Sequence, residues 1–368
     1  MDIGIFLPTG TRGYLISSTA PLNEPTYDLN HYVVTQAERY GCEFALSMVK
    51  FRGFGGESRY WNGALEPFTL ISALAAVTSR IRLISTASSL VMPPAVVARM
   101  AATMDSIAPG RCGINVVTGW QKAEYAQMGA WPGNIHFDNR YDYVTEYVEV
   151  MQQLWRDGRS DFRGTYFQMD DCRLEPQPAN KIDLVMAGGS ARGLDFAAKY
   201  CDYNFCSAPG TINQPEACEG PTARLKAAGG KYGRDLKALV RVSVIAAATD
   251  AAAEAKWDLY RRGTDTVALA WSKEQAETNQ AVVDPHSTGA RFVNNAGESA
   301  TPTSAMKLIG SYATIARHLD TMANVPGLAG AMLSFDDFRE GIDQFGQHIQ
   351  PLMASRASQA ASAFATTG

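Results

Sequence analysis

Asn115 is a carboxamide inside an apolar run, Ile114–Val117. A polar amide in a buried strand needs hydrogen-bond partners, and a bound ligand is one way to supply them. The run ends at Thr118-Gly119-Trp120, where a strand hands over to a loop. Gln121, Lys122, Glu124 and Tyr125 follow as a polar cluster that no core needs. A strand with one internally satisfied Asn and an ordinary surface turn fits the same pattern equally well. Lys50–Gly56 (KFRGFGG) adds a glycine-rich, cationic loop. Gly188-Gly189-Ser190 lies between a strand-like and a helix-like stretch. Glycines let a backbone approach a phosphate, and the first N–H groups of the helix can point at it. A plain strand-to-helix turn would read the same way. Arg140-Tyr141 can add a guanidinium for that phosphate and a ring for packing. Its plain alternative is a surface ion pair with Asp138 or Asp142.

Other chemistries find no support in the spacing. The six cysteines (Cys42, Cys112, Cys172, Cys201, Cys206, Cys218) form no CxxC pair, and the five histidines form no HExxH. No metal is expected from such a set. There is no acid–base pair near a His and no Ser–His–Asp order. No GxGxxG follows a strand with an acid about twenty residues on, so no nicotinamide site is read. Such a face is built to hold a reactive cofactor rather than to supply a nucleophile.

The elements that must carry these groups alternate. Strands are expected at Ile3–Leu7, Phe44–Met48, Ile81–Ala87, 113–117, 182–187, 203–207, 239–248 and Gly330–Phe335. Helices are expected at Leu29–Tyr40, Phe68–Val77, from Pro93-Pro94 through Ile107, and at 141–155, 191–200, 220–228, Ala305–Met322 and Phe338–Met353. Thr9–Pro25 is too long for an ordinary connection, and loops of that length are functional or disordered. Ser272–Pro302 is polar and reads as an excursion from the core. About eight strand–helix units suit a (β/α)8 TIM barrel with a late insertion. A doubly wound open sheet is the alternative that periodicity leaves standing. One domain is expected over 1–353, with the excursion at about 272–302 and a mobile tail at 354–368. The strand ends then gather Pro8-Thr9, Met48–Lys50, Thr86–Ser88, Asn115–Trp120, Ala187–Ser190, Cys206-Ser207 and Ser334–Asp337 on one face.

Composition narrows the classes. The chain has 368 residues, 46% hydrophobic, with net charge −4. That length can bury a large core, and the mild acidity gives no footprint for nucleic acid. No apolar run approaches the roughly 18–20 residues of a membrane span. The start has no basic n-region, so no signal peptide is read. Unpaired cysteines in a chain of this size point to reduced, buried thiols and a cytoplasmic protein.

The stretch Arg111–Trp131, RCGINVVTGWQKAEYAQMGAW, resembles the flavin-dependent monooxygenases of the bacterial-luciferase-like superfamily, and most of all its pyrimidine-opening branch. The resemblance runs from Ile3 to about Met353. It is thinnest over Asp265–Pro302 and absent from the tail. It implies the barrel, and an enzyme using reduced FMN and O2, with NAD(P)H acting indirectly through a separate flavin reductase. It implies oxidative opening of a uracil-like ring at the amide bond by way of a flavin peroxide, and a homo-oligomer. By the same resemblance Val49, Lys50, Asn115, Glu124, Arg140, Tyr141 and Ser190 match FMN-binding positions, with Val49 in place of an Ile. Leu46, Thr86 and Asn115 match an oxygen pocket, in which Thr86 donates to a developing peroxide. Trp120 and Glu124 match pyrimidine contacts. The sequence departs from that branch at Thr9–Tyr14, Phe51, Glu57–Tyr60 and Ser88-Ser89, which flank the substrate face. The same chemistry on another N-, S- or halogen-bearing ring is therefore the first alternative. A non-catalytic flavin-binding protein and a deazaflavin-dependent dehydrogenase are alternatives of other classes.

Overall fold

Eleven strands are present in the computed structural model, which describes residues 1–206, 208, 210–278, 284–295 and 300–357. They are β1 (Asp2–Phe6), β2 (Phe44–Leu46), β3 (Arg82–Ser88), β4 (Cys112–Val117), β5 (Arg159–Ser160), β6 (Cys172–Arg173), β7 (Asp183–Ala187), β8 (Tyr203–Cys206), β9 (Lys237–Ala247), β10 (Met306–Ser311) and β11 (Leu328–Phe335). β5 and β6 form a separate antiparallel pair. The other nine are parallel. Eight of them close a ring in the order β1-β2-β3-β4-β7-β8-β9-β11, with β11 returning to β1. Closure excludes the open doubly wound sheet. β9 is long enough to serve three neighbours. β11 covers Ala238–Val244, while β8 takes Lys237–Val240 and β10 takes Val242–Ala247 on the opposite edge.

Helices follow the strands and start where the sequence offers caps. Thr26 accepts from Leu29 N ahead of Tyr27–Arg39, and Glu66 accepts from Phe68 N and Thr69 N ahead of Pro67–Ala75. Ser190, Ser311 and Asp337 cap Ala191–Tyr200, Tyr312–Ala323 and Phe338–Gln344 in the same way. Each cap satisfies backbone donors that the first turn leaves open.

The structure corrects or adds detail to five expectations. Ala305–Met322 is not one helix: Met306–Ser311 is strand β10, and the helix begins at Tyr312. Lys307 is buried there because its ammonium donates to the carbonyls of Gly210, Thr303 and Ala305. The polar excursion is partly helical, over Thr266–Thr278 and Thr288–Asn295, while 279–283 and 296–299 lie outside the described residues. Thr9–Pro25 is a folded cover: Tyr14 donates to Leu7 O at 2.7 Å and Ile16 N to Pro302 O at 2.7 Å. Of the expected tail, 354–357 belong to the described residues. Ala354–Arg356 forms a 3₁₀ turn, and the Arg356 guanidinium, 2% exposed, pairs with Glu43 at 3.0 Å. Residues 358–368, and Ser207 at the end of β8, lie outside the described residues. All six cysteines are free, and Cys172 is half-buried rather than buried.

Candidate active site

The C-terminal ends of β2, β3, β4 and β7 carry the polar groups singled out above. Lys50 lies just past β2. Its ammonium is buried and meets Glu124 Oε2 at 2.8 Å. It also donates to Gln121 Oε1, and lies 5.1 Å from the centre of the Phe54 ring, 5.8 Å from Trp61 and 5.7 Å from Trp120. Three ring faces and one carboxylate thus surround one cation. Burial pulls the Lys50 pKa down, and Glu124 offsets this in part. Glu124 sits in the short helix Lys122–Ala126, and its second oxygen accepts Phe51 N at 2.7 Å, so it also holds the cationic loop. Val49 is half-buried beside Lys50.

The turn into that helix needs Gly119. Its φ is +74°, and a Cβ there would meet Leu90 and the Tyr125 ring at 2.8–2.9 Å. Both facts exclude a side chain. The turn leaves Trp120 half-buried over Lys50 and Gln121 fully buried beneath it.

Thr86 and Asn115 pair across β3 and β4. The Thr86 hydroxyl donates to Ser47 O and accepts from Asn115 Nδ2 at 3.0 Å. This orders the amide, because a hydroxyl that has spent its proton can only accept. Asn115 Oδ1 is consequently left as a buried acceptor with no partner among the described residues. Leu46, 1% exposed, lies on the neighbouring strand, so the surroundings are dry. The expected donor role of Thr86 meets a hydroxyl whose proton is already engaged.

Arg140, Tyr141, Gly188, Gly189 and Ser190 come together with Trp120 around one cleft of about 160 Å³. Tyr141 Oη lies 3.0 Å from Ser190 Oγ, which accepts from Gly193 N at 3.2 Å. Arg140 donates to Phe137 O at 2.7 Å and lies over the Phe137 and Tyr141 rings. The surface ion pair considered for it is absent among the described residues, since Asp142 pairs with Arg192 instead. Among the described residues Arg140 therefore borders the cleft with no carboxylate on it.

Two features were invisible in the sequence. Asp284, from the polar excursion, accepts Ala191 N at 2.9 Å and His286 N at 2.8 Å. A carboxylate thus occupies the first N–H of the helix that follows the Gly-Gly-Ser turn. His286 O packs so closely on Gly189 that a Cβ there would lie 2.6 Å from it. Arg241, from the middle of β9, lies over the Tyr14 ring at 5.1 Å and donates to Thr303 Oγ1 at 3.1 Å. Its charge also lies near the buried Lys307 and lowers that residue's pKa. Among the described residues no three His, Cys, Asp or Glu side chains group as a metal site. No described helix is long and apolar enough to cross a membrane.

A closed parallel barrel with its polar groups gathered at the strand ends is the architecture of a (β/α)8 enzyme. Residues 1–327 match the luciferase-like monooxygenases, and the chain belongs to that family. It is 54% identical to the pyrimidine monooxygenase RutA of Bradyrhizobium sp. (strain BTAi1), over 98% of this chain and 99% of that one. It is 52% identical to the RutA of Serratia proteamaculans (strain 568), over 97% and 96%. Among solved structures, a riboflavin lyase (RcaE), crystallised with modified FMN and riboflavin, superposes with a TM-score of 0.79 at 19% identity, covering 97% of this chain and 92% of that one.

Proposed function

We propose that this protein is a pyrimidine monooxygenase that opens uracil or thymine at a ring amide bond with reduced FMN and O2. The observation that carries the reading is the likeness to RutA enzymes over nearly the whole length of both chains. We read 1–353 as one catalytic domain, working in the cytoplasm as a homo-oligomer beside a separate NAD(P)H:flavin reductase.

The residues present fit FMN. The Arg140–Tyr141–Ser190 cleft offers a guanidinium, two hydroxyls and a close glycine backbone to one terminal phosphate. The orphaned Asn115 Oδ1 offers an acceptor to a ring N–H. Reduced FMN, when bound, supplies the electrons that activate O2. The chain's part is positioning and exclusion of water. Leu46 keeps the pocket beside Thr86 and Asn115 dry. Lys50, held by Glu124, sets a positive charge next to the substrate wall formed by Trp120. Glu124 accepts a ring N–H.

The test is turnover. With a generic flavin reductase, NADH, FMN and O2, the protein is offered uracil, thymine and unrelated heterocycles, and products are identified by mass. Ring-opened product from uracil or thymine supports the proposal. Inertness toward both, with oxygenation of another ring, would replace the pyrimidine reading with the first alternative. Tight flavin binding without oxygen uptake would replace it with a binding protein.

A further inference from the structure

Gln121 has no exposed surface, and its amide is half satisfied. Its Oε1 accepts from Lys50 Nζ. An ammonium has no lone pair to offer, so the orientation of this amide is fixed: oxygen toward Lys50, nitrogen away. Nε2 is then left buried with no partner among the described residues. Buried amide donors are nearly always paired, so a donor left open beside a ligand face marks a place that a ligand completes. Asn115, on β4 before the same turn, is in the converse state. Its nitrogen is engaged by Thr86 and its oxygen is open. One open donor and one open acceptor, each oriented by a neighbour, flank the Thr118–Trp120 turn.

We propose that Gln121 is a specificity-determining residue whose Nε2–H reads a carbonyl oxygen of an imide edge, the C(=O)–N–H–C(=O) array, with Asn115 Oδ1 as the matching acceptor. The proposal rests on the function proposed above. Uracil and the pyrimidine portion of the flavin both carry that array, so the ring read is either the substrate's or the cofactor's. The Lys50 contact acts through the amide oxygen and the recognition through the nitrogen, so the two roles can be separated. Gln121→Glu keeps an acceptor for Lys50 and loses the donor. Gln121→Met keeps the volume and loses both.

Full-length wild type and the two variants are compared in two binding titrations without reductant, so turnover plays no part. One follows FMN by quenching of its fluorescence. The other follows uracil by calorimetry on FMN-saturated protein. Both variants should lose roughly tenfold in affinity, because an analogue or a site lacking the donor leaves a buried polar group unpaired. Loss in the uracil arm assigns the contact to substrate, and loss in the FMN arm assigns it to the flavin. If substrate is read, Gln121→Glu should also shift preference toward cytosine, which bears an amino group where uracil has a carbonyl. Wild-type affinity in Gln121→Glu, in both arms, overturns the proposal, whatever Gln121→Met does, and reduces Gln121 to a support for Lys50. If Gln121→Met does not fold, Gln121→Glu decides alone. Wild type that binds neither FMN nor uracil removes the proposed function itself, before any variant is compared.

Discussion

Lys50 and Glu124 form a buried ion pair at 2.8 Å, and the carboxylate is shared with the backbone N–H of Phe51. Removing one partner strands the other charge, which is far costlier than the pair is worth. Glu124→Gln keeps the shape and loses the charge. We expect turnover of uracil to fall at least tenfold, about 1.4 kcal/mol of transition-state stabilisation, with FMN affinity little changed. Stability should fall by about 1–3 kcal/mol, from the stranded ammonium. A double-mutant cycle with Lys50→Met checks the cause. Additive losses in the two single variants would show that the pair is not coupled.

Arg140 has no carboxylate partner among the described residues and borders the Gly-Gly-Ser cleft. Arg140→Ala should weaken FMN binding by roughly 1.5–3 kcal/mol, the worth of a charge-assisted hydrogen bond. Fluorescence titration measures this directly. Equal affinities would take Arg140 out of the phosphate site.

Asp284 places a negative charge on the helix start that a phosphate would otherwise use. Like charges compete there, so Asp284→Ala should tighten FMN binding several-fold and speed its association, most at low salt. Stopped-flow mixing with FMN at two ionic strengths is the measurement. Slower or weaker binding in the variant would mean that Asp284 props the cleft open instead.

Thr86 bridges Ser47 O and Asn115 Nδ2. Thr86→Val removes the bridge while keeping the volume. We predict FMN binding close to wild type, less product per flavin oxidised and more hydrogen peroxide. A loss of FMN binding would make Thr86 a structural residue and withdraw it from the oxygen pocket.

Lys307 is held in a buried setting that lowers its pKa to about 8, through desolvation first and the nearby Arg241 second. The unfolded chain keeps that proton up to the ordinary value of 10.5. Between these values the unfolded state binds more protons, so the contribution of this residue to stability rises as pH climbs from about 8 to about 10.5, by roughly 3 kcal/mol. Urea melts across that range, wild type against Lys307→Met, isolate the effect. Parallel pH profiles would contradict it.

Much of this architecture was legible beforehand. The alternation of short apolar runs with helical spacing gave the strand–helix units, because period 2 and period 3.6 are local properties of the chain, while the choice of a barrel over an open sheet came from the family resemblance. The cleft residues Arg140, Tyr141 and Gly188–Ser190 were also found, since each lies at the junction of an element and a loop. What escaped depends on distant partners. β10 reads as helix because Lys307 breaks its apolar run, and nothing local reveals the three carbonyls that satisfy that ammonium. Asp284 belongs to a polar stretch whose composition says only that it leaves the core. Gln121 sits one position from Trp120, yet its open nitrogen becomes visible only once Lys50, from the loop after β2, claims its oxygen.

The ring closes by pairing Asp2 with Gly330 and Ile5 with Leu333. On a ribosome, β1 emerges before the other ring strands, and its closing neighbour β11 emerges after them. Throughout synthesis one edge of β1 has no permanent partner, and Ile3 and Ile5, fully buried in the finished barrel, have no complete core to enter. Unpaired apolar edges of this kind invite pairing with other chains. A nascent chain stalled before β11 should therefore be the form of this protein most dependent on chaperones.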